Sequence, residues 1–361
     1  MHIIGRCWRR VAAGVFATGF AILISAGARA DPSVDPDDLV ITDVTVSARP
    51  ITSFSRQDAA QKNFGRLEFR GGLILTAPDQ RHFGGWSGLV IDPDGKDFTA
   101  ISDRGGWLMA TIDYNGTVPT GVSNARIGPI LAADGTPLDR GRDRDAEALA
   151  IVSGKAHQGS VIIAFEQNTR LARYDITPQG ISPELQLLEK PSGASNMRRN
   201  NGFEAMTVMR GGPYKGAQIA ISERLYDARR NHTGWIWTAH GILPFHLTNI
   251  GDFDITDVSS LDDGTLFVLE RRFRWLEGVK MRIRRIDASA LQPGKTIEGE
   301  TLIEVNLEYE IDNMEGLSAT RGSGNEVILT LISDDNFNAS LQRTLLLQFA
   351  LEDVQTAKTR P

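Results

Sequence analysis

The chain of 361 residues contains one cysteine, Cys7, so no intramolecular disulfide can form. Histidine is almost as scarce. His2, His82, His157, His232, His240 and His246 are scattered, and none forms an H-x-x-x-H or H-E-x-x-H zinc pattern. A zinc hydrolase is therefore disfavoured. The chain has no G-x-S-x-G elbow, which argues against a serine esterase. It also lacks a P-loop, a dinucleotide glycine fingerprint and an EF-hand loop. Strong helical periodicity is missing. Beyond the first thirty residues no apolar run approaches the length of about 20 that a membrane span needs.

The amino terminus reads as an address. Arg6, Arg9 and Arg10 precede an apolar stretch from Val11 to about Ala28, and Ala28-Arg29-Ala30 forms an A-x-A cleavage pattern before Asp31-Pro32. Residues 1–30 are expected to be a cleaved signal peptide, which places the mature protein in the periplasm or outside the cell. The competing reading, a retained anchor, suffers from the short run and from Gly14, Gly19 and Ser25 within it. Arg9-Arg10 hints at twin-arginine export, although Ala12 and Ala13 stand where that motif prefers Phe and Leu. Cleavage removes four arginines and no acid, so the formal charge moves from −6 to −10, and Cys7 leaves too. Such an acidic protein is not expected to bind nucleic acid, nor a membrane once the signal is gone. A monomer is expected.

What the mature chain does have is repetition. Five times a short apolar strand opens with an acidic or small polar residue, turns, and is followed by a second apolar strand ending in an acid. The copies are Trp86–Val90 with Thr99–Arg104, Ala146–Ala150 with Val161–Glu166, Phe203–Thr207 with Ile219–Arg224, Thr256–Ser260 with Leu266–Arg271, and Met314–Ser318 with Leu329–Asp334. Counted from positions 88, 147, 204, 257 and 315, the intervals are 59, 57, 53 and 58. That period, made of short β segments, fits the four-stranded antiparallel blade of a β-propeller. Turns such as Pro93-Asp94-Gly95 and Asp262-Asp263-Gly264 separate the strands. The fold class is all-β. Five blades are favoured. Six stay open, because Leu39–Val46 could belong to a degenerate blade. The fifth unit runs out of chain after its third strand, and Leu67–Leu75 is the spare strand that could close the ring. The expected layout is an N-terminal segment at 31–66, one propeller domain at 67–351 and a tail at 352–361.

The inner strand of each blade lines the centre of a propeller. Glu147, Glu204, Asp257 and Glu315 should then converge on the axis, with Ser87 breaking the pattern in the first blade. Converging carboxylates repel one another, and a hard cation with oxygen ligands, calcium above all, relieves that repulsion. Asn201 and Asn313 could add amide oxygens. The competing role for each acid is to hydrogen-bond the backbone of the next blade. The second acids come as pairs at strand ends, Asp103-Arg104, Glu223-Arg224 and Glu270-Arg271, with Glu166-Gln167-Asn168 and Asp334-Asp335-Asn336 in the other two units. Arg104, Arg224 and Arg271, with Asp103, are the candidates for substrate contact, since guanidinium groups clamp phosphate or carboxylate. Inter-blade salt bridges are the alternative for each arginine. Arg198-Arg199-Asn200-Asn201 and Arg229-Arg230-Asn231-His232 read as basic loop segments. Arg271–Trp275 and Arg282–Arg285 read as strand faces with charge outward and apolar groups inward.

These stretches resemble the bacterial phytase-like family, described by an esterase-like activity of phytase. The resemblance rests on Trp86–Asp92 with Ile101–Gly105, Arg144–Ala150, Asn201–Met206 with Ile221–Arg224, Asp254–Ser260 with Val268–Arg271, and Asn313–Ser318 with Leu331–Asn336. It implies an exported β-propeller that hydrolyses phosphoesters or other esters of a small substrate. No phytase catalytic set can be transferred residue by residue. On the residues alone, Glu147, Glu204 and Glu315 are the candidates for contact with metal or water. A non-catalytic propeller that binds an anionic ligand or a protein, and a lactonase-like calcium hydrolase, are the other readings.

Overall fold

The computed structural model describes residues 39–138, 141–194, 197 and 202–351. The proposed signal peptide, Arg198–Asn201 and the tail lie outside these residues. Five sheets account for nearly all the regular structure, and helix among the described residues is confined to short 3-10 turns such as Ala288–Ala290.

Each sheet is one blade, and each unit of the repeat supplies its inner strands. Blade 1 runs outward from Trp86–Ile91 through Asp97–Ser102 and Gly106–Asn115 to Val118–Pro129. Blade 2 runs from Ala146–Lys155 through Gln158–Phe165 to Arg170–Thr177. Its outer edge is only two short pieces, Gly180–Ile181 and Gln186–Leu187. Blade 3 runs from Phe203–Val208 through Gln218–Tyr226 and His232–Thr238 to Gly241–Leu247. Blade 4 is Asp254–Ser260, Leu266–Arg274, Gly278–Ile286 and Glu300–Asn306. Blade 5 begins with Asn313–Arg321, Val327–Asp334 and Thr344–Leu351, and then takes Leu67–Thr76 from the other end of the chain. That antiparallel pairing, Thr344 opposite Leu75 and Leu351 opposite Leu67, closes the ring as expected.

Five is the blade count. The segment that left a sixth open, Leu39–Val46, forms no blade of its own: Thr42–Asp43 within it edges blade 1, and the next strand, Ser47–Ile51, edges blade 5. Neighbouring inner strands contact one another all the way round, and blade 5 returns to blade 1.

The core is divided by the seams between blades. Five hydrophobic clusters form, one per seam. Between blades 1 and 2, for example, Ile101, Trp107 and Met109 face Val161, Ile163 and Phe165, all nearly or wholly buried. Each such side chain contributes about 1.5–3 kcal/mol by leaving water. The tight turns depend on glycine where the backbone is left-handed: Gly95 at φ +78° and Gly264 at φ +87° close the two turns singled out in the sequence.

Two strand faces differ from expectation. Arg282 and Arg284 point inward and are 1% and 0% exposed. Phe273 and Trp275 point outward, at 53% and 70%. The reason is Glu270, fully buried on the neighbouring strand. It accepts from Arg282 Nε at 2.5 Å and Arg284 Nε at 3.0 Å, and Arg284 Nη2 also bonds it. Phe253 packs over the Arg282 guanidinium at 4.0 Å. The hairpin beyond, Arg274 to Gly278, stands clear of the core and leaves its apolar groups in solvent.

Candidate functional site at the propeller axis

Every inner strand carries a β-bulge at the same place. The register against the second strand slips between Trp86 and Gly88, Ala146 and Ala148, Phe203 and Ala205, Ile255 and Asp257, and Met314 and Gly316. The extra residue is Ser87, Glu147, Glu204, Thr256 or Glu315. A bulge leaves its extra residue out of the ladder and re-aims the side chain, a device common beside active sites. Here it presents three glutamates, a serine and a threonine.

Blade 4 is therefore offset by one residue from the alignment read in the sequence. The structural counterpart of Glu147, Glu204 and Glu315 is Thr256, whose hydroxyl donates to Met314 O at 3.1 Å. Asp257 lies one position further along. Its carboxylate accepts from Leu317 N at 2.6 Å in blade 5 and from Val258 N at 2.7 Å. It is 1% exposed and staples one blade to the next, which is the backbone-bonding role open to any of these acids.

The same offset appears on the second strands. The residue that follows the second-strand member of the pair flanking the bulge is Asp103, Glu166, Glu223 or Asp334 in blades 1, 2, 3 and 5. In blade 4 the flanking pair is Ile255 with Glu270, and the next residue is Arg271, opposite Asp254. Four acids and one arginine thus form a second ring around the bulge residues.

Carboxylates from four blades meet here. Asp145, Glu147 and Glu166 bring oxygens within 4.8 Å of one another, and so do Glu166, Glu204 and Glu223. Glu166 belongs to both groups. Burial is the main force on every one of these acids and pushes its pKa up. It raises Glu166 to about 7, Asp103 to about 7 and Glu223 to about 8. Glu147 and Glu204 are pushed well above the usual carboxylate range, by burial first and then by neighbouring acids. Glu147 feels Asp145, Asp103, Glu166 and Glu315, which shows how closely blades 1, 2 and 5 converge. Asp334 is also pushed well up, by burial and then by Asp103 and Glu315. Glu315 is raised by burial but restrained by Arg271.

The arginines differ from one another. Arg271 reaches the acid ring: Nη1 donates to Asn313 Oδ1 at 2.7 Å, Nε lies 3.4 Å from Glu315, and Nη2 lies 4.0 Å from Glu223. Arg224 is committed to an inter-blade bridge, with Nε at 2.9 Å and Nη2 at 2.5 Å from the Asp254 carboxylate. Arg104 lies over the Phe337 ring, 3.5 Å from its centroid. Asn313 also donates to Asp334 Oδ2 at 3.3 Å, while Asn201 lies outside the described residues. Asp145 was not singled out by the repeat, because it precedes the opening strand. Its position one residue before Ala146, at the end of a strand with a bulge acid, is the signal that could have found it.

Among the described residues the donors are all oxygens, and the carboxylates outnumber the cations that reach them. The charges that bear most on Glu204, 8% exposed, are the three acids Glu147, Glu166 and Glu223. This donor set could hold a metal ion, and it fits a hard one. A separate groove of 620 Å3, lined among others by Leu138, Arg170 and Glu184, lies apart from these acids.

The fold and this centre define a five-bladed β-propeller with carboxylates gathered at its axis. The chain belongs to the phytase-like family, described by esterase-like activity of phytase, whose family model matches residues 81–337. No curated protein sequence matches it. Among solved structures it is similar to glutaminyl cyclase from Myxococcus xanthus, at 9% identity and TM-score 0.39, covering 86% of this chain and 100% of that one. The catalytic domain of a GH62 α-L-arabinofuranosidase from Coprinopsis cinerea is similar at 15% identity and TM-score 0.48, covering 80% and 98%. An endo-arabinase from Bacteroides thetaiotaomicron is similar at 10% identity and TM-score 0.46, covering 76% and 96%.

Proposed function

We propose that this protein is an exported, calcium-assisted hydrolase of phosphoesters or other esters, acting at the propeller axis. The observation that carries the reading is the pair of carboxylate groups that share Glu166. Uncompensated buried acids are costly, and folds keep them where a cation or a reaction uses them. Asp145, Glu147, Glu166, Glu204 and Glu223 would hold the cation, which when bound would polarise a phosphoryl or carbonyl oxygen. Glu147, Glu204 and Glu315 would orient water and exchange its proton. Arg271 would meet the negative charge of the substrate, since it already stands among the acids. Arg104 would approach from the blade 1 side. Arg224 is less suited, because Asp254 occupies its fork.

Metal analysis of the purified mature protein, calcium titration followed by thermal melting, and a panel of phosphoesters and carboxyl esters test the reading together. No bound metal, no calcium-dependent rise in melting temperature and no turnover would sink it. Preference for carboxyl esters over phosphoesters would instead favour lactonase-like chemistry at the same acids. Export is tested by amino-terminal sequencing of protein recovered outside the cytoplasm, which should begin at Asp31.

A second reading is a non-catalytic propeller that binds a partner. Exposed Phe273, Trp275 and Leu276, on a hairpin that rises from the strand bearing Arg271, favour it. Replacing Glu147 and Glu315 together by Gln separates the two, because a binder that uses the hairpin keeps its partner.

A further inference from the structure

The seam between blades 5 and 1 holds a backbone turn that the ring does not need. Asn336 and Phe337 are consecutive non-glycine residues at φ +50° and +51°. A bulky residue in that left-handed region is strained, and such strain persists only where surrounding contacts enforce it. Asp335 enforces it here. Its Oδ1 accepts from Phe337 N at 3.0 Å and from Gly85 N at 3.2 Å, and its Oδ2 accepts from Thr344 Oγ1 at 3.1 Å.

The facing chain is cut back to admit the ring. Gly85, at φ +67°, has no room for a side chain: a Cβ there would lie 2.5 Å from Phe337 Cε2 and 2.2 Å from Asp103 Oδ1. A Cβ on Gly84 would lie 2.5 Å from Asp335 Oδ1. The ring face then carries the Arg104 guanidinium at 3.5 Å. Arg104 follows Asp103 of the acid ring, and its charge acts on that carboxylate. Blades 1 and 4 are the two whose bulge residue is not an acid; in blade 4 Arg271 takes the acid-ring position, and in blade 1 Arg104 comes directly after it.

We propose that Phe337 is a positioning residue that fixes Arg104 as a planar cationic wall of the axial site, shaped to receive the phosphate of an anionic ester. The proposal rests on the ester-hydrolase reading above. Stacking fixes the plane of a guanidinium while leaving its N–H edge in that plane, the geometry needed for paired bonds to phosphate oxygens. A glycine at position 337 would make the same turn without strain. The phenylalanine is therefore explained by its ring.

The test uses the full mature chain with calcium present, p-nitrophenyl phosphate as substrate and inorganic phosphate as a calorimetric probe. Phe337→Gly should keep the turn and the melting temperature. It should raise KM and weaken phosphate binding, each about ten-fold, the loss of one stacked cation contact, while kcat changes less than three-fold. Phe337→Tyr should restore both values. Phe337→Gly should cost little or nothing in a chain that already carries Arg104→Gln, because Phe337 acts only through that arginine. An active enzyme whose Phe337→Gly variant keeps its KM and its phosphate affinity overturns the proposal. So does a variant that loses kcat and melting temperature with KM unmoved. A wild-type chain that hydrolyses nothing, yet binds phosphate in a Phe337-dependent way, upholds the wall and defeats the hydrolase reading. A wild-type chain that does neither defeats both.

Discussion

Blades 3 and 4 are built from the same repeat and treat their strand-end acids in opposite ways. In blade 3 Glu223 stands in the acid ring beside Glu166 and Glu204. In blade 4 Glu270 is drawn one residue back into the blade, where Arg282 and Arg284 enclose it. The ring position then falls to Arg271. One residue of register thus exchanges a negative for a positive charge at the axis. The buried acid of blade 4 is matched by two cations and serves the blade, whereas the buried acids of blades 2 and 3 are under-matched and are free to serve a ligand.

The largest effect expected from breaking this contrast is in stability. Glu270→Gln should cost about 3–5 kcal/mol, because it takes the buried acid from Arg284 and leaves Arg282 only its contact with Glu304. Glu204→Gln, in cation-free protein, should be close to neutral, since the charges that bear most on Glu204 are the acids Glu147, Glu166 and Glu223. Urea unfolding of both variants decides whether the two acids differ in kind.

Next in size is function. Glu147→Gln with Glu204→Gln should abolish the calcium-dependent rise in melting temperature and lower turnover at least about 100-fold, within the range of general acid–base losses. Retention of either property would remove these residues from the site.

The pH response follows. Asp103 and Glu166 near 7 and Glu223 near 8 lie above their unfolded values. Between about pH 4 and pH 8 the folded protein holds more protons than the unfolded chain, so stability falls as pH rises. Calcium-free protein should melt at a higher temperature at pH 5 than at pH 8, and calcium should narrow or reverse that difference. A cation-free melting temperature that climbs through this window would show that the acids are already neutralised within the fold.

The smallest effect concerns Asp257. Asp257→Asn keeps one acceptor for two backbone N–H groups and should cost about 1–2 kcal/mol. Calcium binding should be unaltered. A loss of calcium binding without a loss of stability would return Asp257 to the axial site.

The ring was legible because apolar strands of one length recur at one spacing, and because Leu67–Leu75 had no partner in its own unit. The acids of blades 2, 3 and 5 were legible because each follows an apolar or aromatic residue at the start of its strand. Blade 4 misled for a local reason. Thr256 and Asp257 are adjacent, so matching by residue type selected the acid, while the ladder selects the threonine. The burial of Arg282 and Arg284 could not be read, because their partner Glu270 lies twelve and fourteen residues away on another strand. The contact between Phe337 and Arg104 spans blades at opposite ends of the sequence, and no local pattern encodes it.

Closure by Leu67–Thr76 has a consequence in time. A chain made from its amino terminus produces this strand among the first and its partner Thr344–Leu351 among the last. Until then an apolar strand edge waits unpaired, and such edges invite association between molecules. This pairing joins strands far apart in the chain, and contacts of such separation form slowly. Loss of a few residues before Leu351 should therefore harm folding out of proportion to the area they bury.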